Sequence, residues 1–126
     1  RSDPLEDLSA VTSPQELIAM QRRARETRVE ESVRGYIVDI VRATREHADI
    51  ELGVSPRGTL ALYRCAQALA AIRGREYVLP DDVKLLAPYV LTHRIIISPT
   101  TRLRGRSLAE VLMDVIEKVP VPVETL

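Results

Sequence analysis

The sequence predicts an all-α fold, a small bundle of about five helices with at most a short extended element near Tyr77-Val78 and Ile95-Ile97. Three observations carry this expectation. Apolar residues recur at helical spacing through most of the 126-residue chain. Proline or serine next to acidic residues repeatedly marks helix starts, and β-branched runs are too short to build a sheet.

Residues 1–12 carry no sustained period and read as an extended lead-in. Ser13-Pro14-Gln15-Glu16 then combines an N-cap, a proline at the first helical position and a glutamate three residues after the cap. It opens a helix over about 14–26 with Leu17, Met20 and Ala24 on one face. Glu30 and Glu31 suit the positive end of a second helix. Val33, Ile37, Ile40, Val41 and Thr44 keep its helical spacing to about His47. The third helix starts at Pro56 behind Ser55 and runs to about Arg73, where Gly74 supplies a stop. Apolar residues cover more than one of its faces, so it is expected to be central, with Cys65 inside. Pro80-Asp81-Asp82 opens a fourth helix with Val83, Leu86, Ala87, Val90 and Leu91 as its stripe, and Pro88 predicts a kink or break within it. Ser107-Leu108-Ala109-Glu110 is a second capping box. The stripe Leu108, Val111, Leu112, Val115, Ile116 and Val119 follows and is stopped by Pro120 and Pro122.

With 45% apolar and 29% charged residues, the chain has the composition of one globular domain. The 18 basic and 18 acidic side chains cancel, so no global field draws it to nucleic acid or an anionic membrane, and any basic function is local. Phe and Trp are absent, which argues against recognition of stacked bases. The single cysteine excludes an internal disulfide and suits a reducing compartment. No apolar run approaches the roughly 20 residues of a membrane span, and no signal-peptide layout is present, so the expected location is cytoplasmic.

The most pointed local feature is Gly53-Val54-Ser55-Pro56-Arg57-Gly58. Ser55 reads as an N-cap whose hydroxyl accepts an orphan amide, and Pro56 as the first helical residue. Arg57 falls at the positive end of the helix dipole, where a cation costs roughly 0.3–1 kcal/mol. Gly58 adds a cost of about 1 kcal/mol relative to alanine. An anion held against Arg57 and the free amides would explain both choices, with glycine permitting close approach.

Other constellations read as structural. His47, His93 and Cys65 lack the spacing of a metal site or a nucleophile pair. Asp81-Asp82 is explained by a helix start, and no GxxxxGK[ST] phosphate loop occurs. Arg102, Arg104 and Arg106 read as a solvated basic run, with contact to phosphate or an acidic partner as the alternative. Arg34, Arg42 and Arg45 are expected to pair weakly with Asp39, Glu46 and their neighbours.

Four segments taken in order resemble the C-terminal lid domain of MoxR-type AAA+ ATPases: Tyr36 to His47, Gly53 to Gly58, Pro80 to Lys84, and His93-Arg94. The lead-in Asp3-Pro4-Leu5-Glu6-Asp7-Leu8 resembles the segment joining the ATPase core to that lid, so residues 1–12 are expected to be a lead-in from a core absent here and 13–126 the lid. Val54 and Gly58 stand where alanine is common in that family, and Leu79 where threonine caps the helix. The resemblance implies that Arg57 is the sensor 2 arginine acting on ATP phosphates, within a binding turn of Ser55, Pro56, Arg57 and Gly58. It further implies ATP with Mg2+ in the parent protein, and no hydrolysis or nucleotide binding by this portion alone. Implied partners are the ATPase core of the same chain, neighbouring subunits of a hexameric ring, and proteins with von Willebrand A domains in chaperone-like remodelling. Two other classes stand beside this one: a helical protein-interaction module, and a helix-turn-helix DNA-binding domain with the helix at Pro56 as reader.

Overall fold

The computed structural model describes residues 3–123; residues 1–2 and 124–126, the outer ends of the expected lead-in and lid, lie outside the described residues. The described chain forms α1 (Pro14–Arg25), α2 (Glu31–Glu46), β1 (Ile50–Leu52), α3 (Pro56–Ile72), α4 (Pro80–Leu91), β2 (Ile96–Ile97), α5 (Pro99–Leu103) and α6 (Leu108–Lys118). A small helical bundle is therefore correct. The lead-in is not uniformly extended, because Asp3 accepts the Leu5 amide and caps a 3-10 turn over Pro4–Asp7.

The core lies where α2, α3, α4 and α6 meet. Tyr36, Ile37 and Ile40 of α2 pack with Leu62 and Ala66 of α3, Val83 and Leu91 of α4, and Leu112 and Ile116 of α6. Each such aliphatic side chain contributes about 1.5–3 kcal/mol on burial. α1 differs: it buries no residue, and Leu17 and Met20 remain about half exposed at 48% and 53%. The amphipathic face expected there exists but is uncovered along the groove it forms with the end of α3.

Several local expectations need correction. α4 runs unbroken through Pro88. The proline removes the amide that would serve the Lys84 carbonyl, but Lys84 is exposed, so water can serve that carbonyl, and the helix ends within a turn. Cys65 is exposed. The buried row of α3 is Gly58, Leu62, Ala66 and Ala70, at i, i+4 spacing, and Cys65 lies off it. None of Arg34, Arg42 and Arg45 forms an ion pair with Asp39 or Glu46 among the described residues.

The extended elements position the site. β1 and β2 pair antiparallel, Ile50 with Ile97 and Leu52 with Ile96, with one irregularity between. Tyr77 forms only an isolated parallel bridge with Arg28. Pairing of β1 with β2 brings the chain entering α3 beside the chain leaving α4. The connection is fastened from behind by Asp49, whose carbonyl accepts the Ser98 amide at 2.8 Å and whose carboxylate takes Thr101 Oγ1 at 2.8 Å and Arg106 at 3.0 Å.

A candidate phosphate-facing turn at the start of α3

The turn over residues 53–58 is clamped to the end of α2. Val54 is fully buried, its amide donates to Thr44 Oγ1 at 3.0 Å, and its carbonyl accepts from Arg45 Nε at 2.8 Å. Thr44 in turn donates to the Val41 carbonyl at 2.6 Å. Both backbone groups of Val54 are thus satisfied by side chains of α2, which removes the cost of burying them bare. Gly53 is required by the same approach, since a Cβ there would sit 2.7 Å from Arg45 Cγ and 2.8 Å from Arg45 Cα.

Ser55 caps α3 only through its backbone. Its carbonyl accepts the amides of Gly58 at 2.9 Å and Thr59 at 3.2 Å, while its hydroxyl makes no cap bond. The side-chain cap read from the sequence is therefore absent. Two other Ser-Pro starts behave differently: Ser13 Oγ accepts Glu16 N and Ser98 Oγ accepts Thr101 N, each at 3.2 Å. Ser55 leaves a hydroxyl uncommitted beside an exposed Arg57.

Gly58 has an internal reason that sequence reasoning missed. A Cβ on it would collide with Val54 Cγ1 and stand 3.2 Å from Arg94 Cδ. Gly58 is buried, so glycine serves helix packing rather than approach by an outside anion. Arg57 itself is exposed and has no carboxylate within 4.0 Å among the described residues. Two further arginines line the turn, both missed because their contacts are remote in sequence. The Arg45 stem lies on Gly53, and the Arg94 stem lies on Gly58 with its Nε donating to the Val90 carbonyl at 3.1 Å.

The remaining candidates are structural. Arg106 is no member of a solvated run, for it joins Asp49 to Asp114, while Arg102 and Arg104 are exposed. Hydrogen bonding by Thr101 holds the Asp49 carboxyl below its ordinary range, and Arg106 does the same for Asp114. His47 Nδ1 accepts the Asp49 amide at 3.1 Å. Asp82 caps α4 by accepting the Leu79 amide at 2.8 Å, a half of a cap to which leucine can return nothing. The same carboxylate takes both terminal nitrogens of Arg75, at 2.8 and 2.6 Å. Burial pushes Asp82 up, but the bonds from Arg75 and Leu79 outweigh it and hold its carboxyl below the usual range. Among the described residues no three of His, Cys, Asp and Glu gather as a metal site, and no helix is long and apolar enough to cross a membrane.

Comparison with known proteins places this geometry. The AAA lid domain family matches residues 42–115, which include the clamp, the turn and all of α3 and α4. The uncharacterized protein YeaC of Bacillus subtilis is 40% identical over 124 residues, covering 98% of this chain and 39% of the relative. Chaperone MoxR1 of Mycobacterium tuberculosis is 33% identical over 97 residues, covering 70% of this chain and 26% of the relative. A crystal structure of a protein assigned as an ATPase, from Cytophaga hutchinsonii, superposes with a TM-score of 0.76 at 26% identity, covering 92% of this chain and 45% of that one. The chain thus spans less than half the length of each of these proteins.

Proposed function

This chain belongs to the AAA lid domain family, as the lid of a MoxR-type AAA+ ATPase, and from that premise we propose that Arg57 is its sensor 2 arginine. The observation that carries the reading is an exposed arginine, without a carboxylate partner among the described residues, at the positive end of a 17-residue helix. Nothing among the described residues offsets that placement, and a phosphate group would. The Arg57 guanidinium offers a planar fork of donors suited to phosphate oxygens. Ser55 contributes an uncommitted hydroxyl beside it, and Pro56 fixes the first turn so that the Arg57 amide has no acceptor within the protein among the described residues. Gly58 contributes indirectly, by letting α3 seat on Val54.

In the parent protein the ligand is ATP with Mg2+, held mainly by the ATPase core, and it supplies the phosphoanhydride bond that is cleaved. Arg57 neutralises charge at the terminal phosphate and ties the lid to it, so that the angle of lid to core differs between ATP and ADP. The parent works as a ring of subunits, hexameric in this reading, whose nucleotide-driven lid motion remodels or matures partner complexes. The chaperone name of the mycobacterial relative supports that role, and proteins with von Willebrand A domains are the partners proposed.

The test is Arg57→Ala in the full-length protein. Loss of one charged donor aimed at the reacting group is expected to lower ATP turnover by about 100-fold or more, with the melting temperature unchanged. Turnover at the normal rate would overturn the assignment. The lid alone is expected to bind ATP negligibly by titration calorimetry, and micromolar binding would show a self-contained site.

A further inference from the structure

Arg45 and Arg94 share a geometry that the other anchored arginines among the described residues lack. Each donates its Nε to a backbone carbonyl, Arg45 to Val54 at 2.8 Å and Arg94 to Val90 at 3.1 Å. Each lays its stem on a glycine of the same turn, Arg45 on Gly53 and Arg94 on Gly58. Neither has a carboxylate within 4.0 Å, and neither commits its terminal nitrogens to a protein acceptor among the described residues. Arg75 and Arg106 do the reverse, spending their terminal nitrogens on Asp82, Asp49 and Asp114.

An arginine held by Nε alone has a fixed stem and an open pair of nitrogens. Fixing the stem removes much of the rotamer freedom that a long cation loses when it binds, so the open pair is preorganised for an oxyanion. Their stems meet the turn at Gly53 and at Gly58, on either side of Arg57 along the chain, brought there from α2 and from the turn after α4 by the β1–β2 pairing. With Arg57 they set three cations on one turn with no acid bonded to any of them, in a chain whose net charge is zero. Like charges so placed raise one another's energy unless an anion joins them.

We propose that Arg45 and Arg94 extend the Arg57 position into a three-arginine cradle for a polyphosphate, with Arg94 the principal second contact because its stem seats directly on Gly58. The inference rests on the sensor 2 reading above and adds two specificity-determining residues to it. A cradle with several forks favours the ligand with more phosphate charge, so it discriminates a nucleoside triphosphate from a diphosphate by equilibrium binding.

The test is the affinity of the full-length protein for ATP and for ADP in Arg94→Met, Arg94→Lys and Arg57→Ala. Methionine keeps an apolar stem against Gly58 and removes the charged fork. Loss of a charged hydrogen-bond pair is worth about a tenfold change, so Arg94→Met is expected to bind ATP about tenfold more weakly, with ADP changed less than about threefold and the melting temperature held. Arg94→Lys, which keeps the charge, is expected to recover part of that loss. Unchanged ATP affinity in Arg94→Met overturns the cradle. If Arg94→Met melts early, Arg94→Lys decides: a folded lysine variant no better than methionine for ATP also overturns it. Normal ATP affinity and turnover in Arg57→Ala with a selective loss in Arg94→Met would end the sensor 2 reading and leave an anion site, whereas the opposite pattern leaves sensor 2 standing and ends the cradle.

Discussion

At the C-terminal end of α3, Arg75 closes a two-pronged ion pair on Asp82, whose side chain is 1% exposed, and Arg73 adds a weaker contact at 3.6 Å. At the N-terminal end of the same helix, Arg57, Arg45 and Arg94 meet no acid within bonding distance among the described residues. One end uses arginine to satisfy a buried carboxylate that also caps α4. At the other, the Val54 amide donates to Thr44 Oγ1, the Nε atoms of Arg45 and Arg94 donate to the Val54 and Val90 carbonyls, and the terminal nitrogens of both arginines take no protein acceptor among the described residues. Residue type is the same at both ends, and the partners differ: buried Asp82 at one end, no carboxylate within bonding distance among the described residues at the other. The proposal that Arg57 serves phosphate thus rests on the fate of the terminal nitrogens and not on the number of arginines.

The sharpest way to break this contrast is to remove Asp82. Asp82→Ala leaves Arg75 facing a buried gap and takes the Leu79 amide's acceptor away, at a cost of about 3 kcal/mol. Chemical denaturation should show it directly, and a loss below about 0.5 kcal/mol would mean the pair is not structural. The pH dependence has a defined sign. The folded Asp82 carboxyl sits below its ordinary value, so its contribution is complete above the unfolded value near pH 4 and is lost as pH falls through the folded one. Asp49 and Asp114 are lowered as well and act in the same direction. Stability should fall on acidification below about pH 4, and less steeply in Asp82→Asn, as measured by denaturation midpoints across pH.

Next in size is Gly58→Ala. The added Cβ meets Val54 Cγ1 inside the clamp, and overpacking of this kind costs about 1–3 kcal/mol. Val54→Ala alone removes two buried methyls, worth about 0.8 kcal/mol each. The double variant should recover much of the Gly58→Ala loss, since the two residues fill one space, and a thermodynamic cycle would read the coupling. Additive losses would mean that the collision relaxes elsewhere.

How much of this was legible in the sequence follows from the range of each interaction. The starts of α1 and α6 were readable because Ser13 and Ser107 each bond an amide three residues away. α5 carries the same Ser-Pro signal at Ser98-Pro99, but its five residues are too few to show an apolar period that would mark a helix. β1 is three residues long and is defined by a partner more than forty residues on, which no local pattern contains. Arg57 stood out because its conflict with the helix dipole is local. Its companions Arg45 and Arg94 did not, since their roles come from contacts with residues 53–58 made across the fold. Cys65 was misplaced because apolar side chains ring α3 and hide the i, i+4 row that is buried.

The smallest effect tests the other half of the contrast. If Arg57 contributes nothing to this fold, Arg57→Ala should leave the isolated lid as stable as before, or raise it by about 0.3–1 kcal/mol by relieving the dipole. In a domain of this size that gain is at most a few degrees of melting temperature. It should shrink in 1 M salt, where charge interactions are screened within about 3 Å. Scanning calorimetry at low and high salt measures both. A melting temperature several degrees lower in Arg57→Ala would show that Arg57 has a stabilising contact within the lid, and the two ends of α3 would then differ in strength rather than in kind.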